Sequence, residues 1–125
     1  MKYLLLVHHN EESFSKMSEE TRRSMLAESI QLCHRLHEKK QYVHASPLQP
    51  VATATVVQVR DGKRSVTDGP FIETREQLAG YFLVDAANLD EALDIAGRIP
   101  GARIGAVEVR PVREITGLDR KSTRL

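Results

Sequence analysis

Only one cysteine, Cys33, occurs in the 125 residues. This excludes an intrachain disulfide and any site built from several thiolates, and a reducing, cytoplasmic setting is the simplest one. Also missing is an apolar run near the ~20 residues that a membrane-crossing helix needs. The segment from Tyr3 to Val7 is short and is soon followed by Glu11 and Glu12, so it reads as a buried strand and not as a signal peptide. Charge of one sign is lacking too: 18 Lys and Arg stand against 17 Asp and Glu, for a net charge of +1. A nucleic-acid partner is not expected from that balance. No Gly-rich phosphate loop, Ser-centred elbow or His-x-x-x-His spacing is present, so neither a cofactor nor a metal is expected. Without repeats or a linker, the chain reads as one domain over 1–113, long enough to bury a core, with a polar basic tail over 114–125.

What is present is a run of well-punctuated elements. Lys2 to His8 is nearly continuous in apolar residues, as an interior strand requires. After a polar connection, Ser18 is placed to cap a helix whose first turn holds Glu19 and Glu20, matched to the positive end of the helix dipole. Met25, Leu26, Ile30, Leu32, Cys33 and Leu36 then form an apolar stripe that predicts a core-facing side. Ser29 falls inside that stripe. Its hydroxyl can bond back to its own helix, or it can mark a pocket opening on that face. His34 and His37 flank the stripe, at a boundary or in solvent.

Tyr42 to Pro47 reads as a second strand. Thr53 to Arg60 alternates, Asp61-Gly62 supplies a hairpin turn, and Arg64 to Thr67 returns to a corner at Asp68-Gly69-Pro70. Leu78 to Asp85 is the next strand, with Gly80 marking a bulge or a close approach of another chain segment. Asn88 and Glu91 have the spacing of a capping box, and Gly97, Pro100 and Gly101 stop the helix they begin. Leu89, Ala92, Leu93, Ala96 and Ile99 are its expected buried face, and Ala106 to Val112 makes a final strand.

With the hairpin treated as an insertion, the order is βαββαβ. Right-handed crossovers then put both helices on one face of an antiparallel sheet, giving an α+β, ferredoxin-like fold. The opposite face would be left uncovered. Large apolar faces are rare on monomers, so two such sheets are expected to pack face to face as a homodimer.

Asp68 is the foremost candidate acid, although a turn-forming Asp before Gly-Pro chiefly fixes its corner through bonds from backbone N–H groups. His8 and His44 are candidate acid–base groups, with His8 and Asp68 the first pairing to consider. Tyr81 and Phe71, with Ser29, are candidate cleft-lining residues, and aromatic side chains at such places serve core or dimer packing as readily.

Several segments together resemble one family. They are Val66-Thr67, Asp68-Gly69-Pro70-Phe71, Glu73-Thr74, Leu78 to Tyr81, Leu89 to Leu93 and Val107 to Pro111, supported by Met1 to Leu6, Ala52 to Thr55 and Arg60 to Gly62. The chain resembles YCII-related proteins of the DGPF subgroup over about residues 1 to 113. That resemblance implies a ferredoxin-like, dimeric α/β-barrel fold. Members are described as candidate enzymes because many carry a His on the first helix and an Asp after a Gly-Pro turn, close together in a cleft. Aligning Ala45-Ser46-Pro47 with the family's Ala-Gly-Pro puts Ser29 at the His position and Pro50 near the Asp, so this chain lacks the pair. One branch is linked to dechlorination of a chlorinated aromatic, and DGPF members are often associated with alternative sigma factors. Three readings follow: a dimeric domain with a cleft for a small molecule, a non-catalytic accessory module of a regulatory system, and a dechlorinase or isomerase-like enzyme.

Overall fold

In the computed structural model, which describes residues 1–118, β1 (Lys2–His9) lies inside a four-stranded antiparallel sheet. Its neighbours are β5 (Gln77–Asp85) on one edge and β6 (Ala106–Pro111) on the other, and β2 (Tyr42–Pro47) pairs with the far side of β5. The order β2-β5-β1-β6 makes an α+β fold. β3 (Thr55–Arg60) and β4 (Lys63–Asp68) form a separate two-stranded hairpin. Its turn places both Asp61 and Gly62 at positive φ, 52° and 74°, as a two-residue hairpin turn demands.

Alternation along the strands sorts the two faces of the sheet. Tyr3, Leu5 and Val7 of β1 and Phe82 and Val84 of β5 are buried in one cluster with Leu32 and Leu36 of α2 (Glu19–Glu38). Ala92, Ile95 and Ala96 of α3 (Leu89–Gly97) join the same cluster, so both main helices cover one face. The opposite face carries Leu4, Leu6 and Leu83, which remain half-buried.

Local signals set most element boundaries. The Ser18 hydroxyl accepts the Thr21 amide at 3.1 Å, and Asn88 Oδ1 accepts the Glu91 amide at 3.0 Å. The reciprocal half of the capping box closes one residue early: Glu91 Oε1 accepts the amide of Ala87 at 3.3 Å and Gln41 Nε2 at 2.6 Å, which ties α3 to the chain entering β2. α2 ends in a left-handed turn at Lys40, φ 60°, where the Gln41 amide reaches the Leu36 carbonyl at 2.8 Å. That is the wrap-around termination that usually employs glycine.

Two expected helix faces are corrected. In α2 only Leu32 and Leu36 of the stripe are buried, Met25 and Cys33 are half-buried, and Leu26 and Ile30 are exposed. The helix borders a cavity from Arg22 to Cys33, and of its stripe only Leu32 and Leu36 reach the packed core. In α3 the buried side is Ala92, Ile95 and Ala96, continuing to Ile99, while Leu89 and Leu93 are exposed. The rotation comes from Ile95 seating in the core, a residue that the stripe through Leu89 and Leu93 passes over. The polar connection after β1 contains a further short helix, α1 (Glu11–Ser15), begun by Asn10 accepting the Ser13 amide at 2.8 Å. Another one-turn helix, α4 (Gly101–Ile104), follows the stop after α3. Residues 119–125 of the expected tail lie outside the described residues.

Gly80 serves both purposes its position implied. A Cβ there would lie 2.8 Å from the Ser46 carbonyl oxygen, so glycine lets β2 close on β5, and the β1–β5 register slips beside it between Val7 and His8. Gly80→Ala should therefore destabilise the fold by about 1–3 kcal/mol. Lys40→Gly should stabilise it by about 1 kcal/mol, since the left-handed conformation costs a non-glycine residue that much. Urea midpoints measure both, and a neutral Gly80→Ala would refute the close-approach account.

Candidate functional site

The gap under α2 arises from small side chains facing each other. Ser29 and Cys33 on the helix stand over Ala45 of β2 and Ala79 and Gly80 of β5, and none of these fills the space between helix and sheet. Val7 and Phe82 complete the floor, and the Ile99-Pro100-Gly101 turn closes one side. Gly101 presses on Val7, where a Cβ would come within 2.4 Å of the valine Cγ1. The resulting cavity has a volume of about 240 Å³ and is open to solvent past Leu26 and Ile30.

Polar groups on its lining are few. Arg22, one turn into α2, is half-buried there, and its Nη1 donates to the carbonyls of Ser15, at 3.0 Å, and Met17. His9 ends β1 at the rim, its ring stacked on Phe14 of α1 with centroids 4.6 Å apart, and its Nδ1 is enclosed without a hydrogen-bond partner among the described residues. Ser29 does not bond back to its helix in the way Ser15 bonds to the Glu12 carbonyl, and its hydroxyl has no protein partner among the described residues. Among the described residues no base or acid is bonded to that hydroxyl, as an activated serine nucleophile requires. Burial pushes the Cys33 thiol up, so at neutral pH it is a protonated, weakly polar wall and not a thiolate.

The sequence candidates separate into three places. Ser29 is on the cavity lining; Tyr81 borders it from β5 while its ring lies with His44 on the uncovered sheet face; Asp68, His8, His44 and Phe71 are not on the lining. His8 sits on the uncovered sheet face, with Nε2 3.7 Å from a Glu108 carboxylate oxygen. His44 is on that face too, its Nδ1 2.7 Å from the Tyr81 hydroxyl, and the two rings stack. His8, His9 and His44 thus have three different partners, and the described residues contain no metal-holding group of three His, Cys, Asp or Glu side chains.

Asp68 ends β4 in solvent. Among the described residues its carboxylate accepts no backbone N–H. The corner is held instead by the Gly69 amide donating to the Ala54 carbonyl at 2.7 Å, with Gly69 at φ 95°. Past the corner, Phe71 is 70% and Ile72 65% exposed. At Pro50, no acid occupies the position itself, but the next amide, Val51, donates to Glu11 Oε2 at 3.0 Å. Glu11 and Phe14 of α1, with His9 before it and Arg22 after it, meet at this end of the fold, where the sequence predicts only a polar connection. The one local sign of it was Asn10 followed three residues later by Ser13, a cap spacing.

Comparison with known proteins adds two findings. A profile of the YCII-related domain matches residues 1–116. An uncharacterised protein of Rhizobium meliloti (strain 1021) is 36% identical over 120 residues, covering 90% of this chain and 92% of the relative.

The Cys33 environment is directly checkable. Its reaction with an aromatic disulfide reagent should be slower at pH 7 than that of a free small thiol, and its pH midpoint should lie above the ordinary thiol value. A midpoint at or below that of a free thiol would refute the buried-wall assignment.

Proposed function

Since the chain belongs to the YCII-related family, we propose that it is a homodimeric, ferredoxin-like domain of the DGPF subgroup whose cavity under α2 binds a small, largely apolar molecule. The observation that carries this reading is the cavity itself. About 240 Å³ is kept open by Ser29, Cys33, Ala45, Ala79 and Gly80 at places where larger side chains would have built core. An apolar space of ~150 Å³ already accommodates benzene, so the size suits a ring with a substituent or a short aliphatic chain. The domain runs over 1–113, and its setting is the reducing cytoplasm; no helix among the described residues is long and apolar enough to cross a membrane.

Binding without turnover is the form of this function that the residues favour. Ser29 stands where the family resemblance places the helical His, Pro50 stands near its Asp, and the Ser29 hydroxyl has no base beside it. A dechlorinase or isomerase-like activity would need a proton acceptor, and His9, at the rim with its Nδ1 enclosed beside Phe14, is the one imidazole on the lining among the described residues.

The dimer rests on the uncovered sheet face. Leu4, Leu6 and Leu83 form its apolar centre, and the His8–Glu108 and His44–Tyr81 pairs stand beside them. Such a surface suits packing against its own copy. The exposed Val57, Val59 and Val66 on the hairpin, with Phe71 and Ile72, favour a second reading in which that edge also engages an accessory partner.

Ser29→Phe should fill the cavity. With toluene, p-cresol and benzoate as probes in ligand-observed NMR, binding by the unaltered protein and its loss in Ser29→Phe is the expected result, with Asp68→Ala binding unchanged. No binding of any probe by the unaltered protein would end the cavity reading. Separately, Leu6→Lys should convert a dimer to monomer in analytical ultracentrifugation, and a protein already monomeric at tens of micromolar would refute the sheet-face dimer.

A further inference from the structure

We infer that the cavity recognises an organic monoanion, an apolar body bearing one carboxylate or ionised phenol, with Arg22 as the anion-binding residue. The inference deepens the proposed small-molecule cavity and rests on it. Three observations carry it.

First, Arg22 is the one permanently charged side chain on the lining, and among the described residues no Asp or Glu lies there. Second, the Arg22 guanidinium is held but not neutralised. Its two bonds, to the Ser15 and Met17 carbonyls, both use Nη1. Among the described residues Nε and Nη2 have no partner, and no carboxylate pairs with the side chain. Of the acids around it, Glu12 pairs with Lys16, Glu19 with Arg23 and Glu28 with Arg103, Glu11 accepts the Val51 amide, and Glu20 is exposed and off the lining. A half-buried cation beside apolar walls loses hydration without regaining it from a protein carboxylate, and a ligand anion can supply what is missing. Third, the Ser29 hydroxyl is also unpartnered on the same lining and can donate to an oxygen of the ligand.

The geometry also assigns orientation. The apolar part of the ligand lies against Val7, Phe82 and Ile99, and the acidic group stays at the rim with Arg22. Two carbonyl contacts fix the guanidinium before the ligand arrives, so little side-chain ordering remains to be done on binding. His9, the other basic residue of the rim, has its Nδ1 enclosed beside Phe14 and is not assigned a direct contact.

The test pairs each acid with its neutral isostere: benzoate with benzamide, and hexanoate with hexanamide, titrated into the unaltered protein at pH 7.5 and followed by ligand-observed NMR. The acids should bind about tenfold to a hundredfold more tightly than the amides, as a charge-assisted bond to a fixed guanidinium predicts. Arg22→Gln, which keeps a polar side chain without the charge, should remove the acid preference and leave weak binding of both members of each pair. Arg22→Lys should retain part of it. Equal affinity for acid and amide in the unaltered protein overturns the anion assignment and leaves the cavity reading standing. Failure of all four probes to bind overturns the anion assignment, and the cavity reading falls with it where toluene and p-cresol fail as well. The comparison within the unaltered protein does not depend on any variant folding.

Discussion

Pairing along both edges of β1 is the constraint on which the other parts of this structure depend. Once Leu4, Leu5 and Leu6 are bonded between β5 and β6, the pleat alone decides which side chains enter the core and which reach the opposite face. Leu5 is fully buried beneath the helices, whereas Leu4 and Leu6 on either side of it form the uncovered surface. A slip of one residue would exchange the two sets. The register change after Val7 is tolerated because it comes at the end of the strand, next to Gly80. Alternation along β1 then carries His9 to the cavity rim on the same face as Val7.

The cavity and the core are consequently two ends of one interface. Where Leu32 and Leu36 of α2 face the sheet the layer is filled; where Ser29 and Cys33 face alanine and glycine it is left empty. The pair between Arg103 and Glu28, with nitrogen–oxygen distances of 2.8 and 2.9 Å, braces α4 against α2 at the open end. The guanidinium holds the Glu28 carboxyl below the usual carboxylate range. The brace is therefore complete above the unfolded carboxyl's titration and is lost as pH falls through the folded one. Being solvent-exposed, it contributes modestly.

Elements whose causes are local were legible in the sequence. Ser18 and Asn88 could be read as caps because a cap depends on three or four neighbouring residues, and Asp61-Gly62 as a turn because it depends on φ alone. The faces of the helices were read less well. Leu89 and Leu93 satisfy helical periodicity, yet the rotation of α3 is set by where Ile95 fits, which is a property of the packed layer. The site was the least legible part. Ser29 could be singled out as a polar residue in an apolar stripe, but Arg22 and His9 become its neighbours only because α1 folds the chain back between β1 and α2. Asp68 drew attention through its motif, and the amide of Gly69 turned out to hold the corner.

The hairpin of β3 and β4 stands apart from the main sheet, with every residue of β4 exposed. Two strands alone are marginally stable in water, so the persistence of this ladder depends on whatever surface it is laid against. Its amide protons are therefore a built-in gauge of contact. Their exchange rates would slow on association at that edge and leave those of β1 unchanged, separating attachment at the hairpin from tightening of the whole domain.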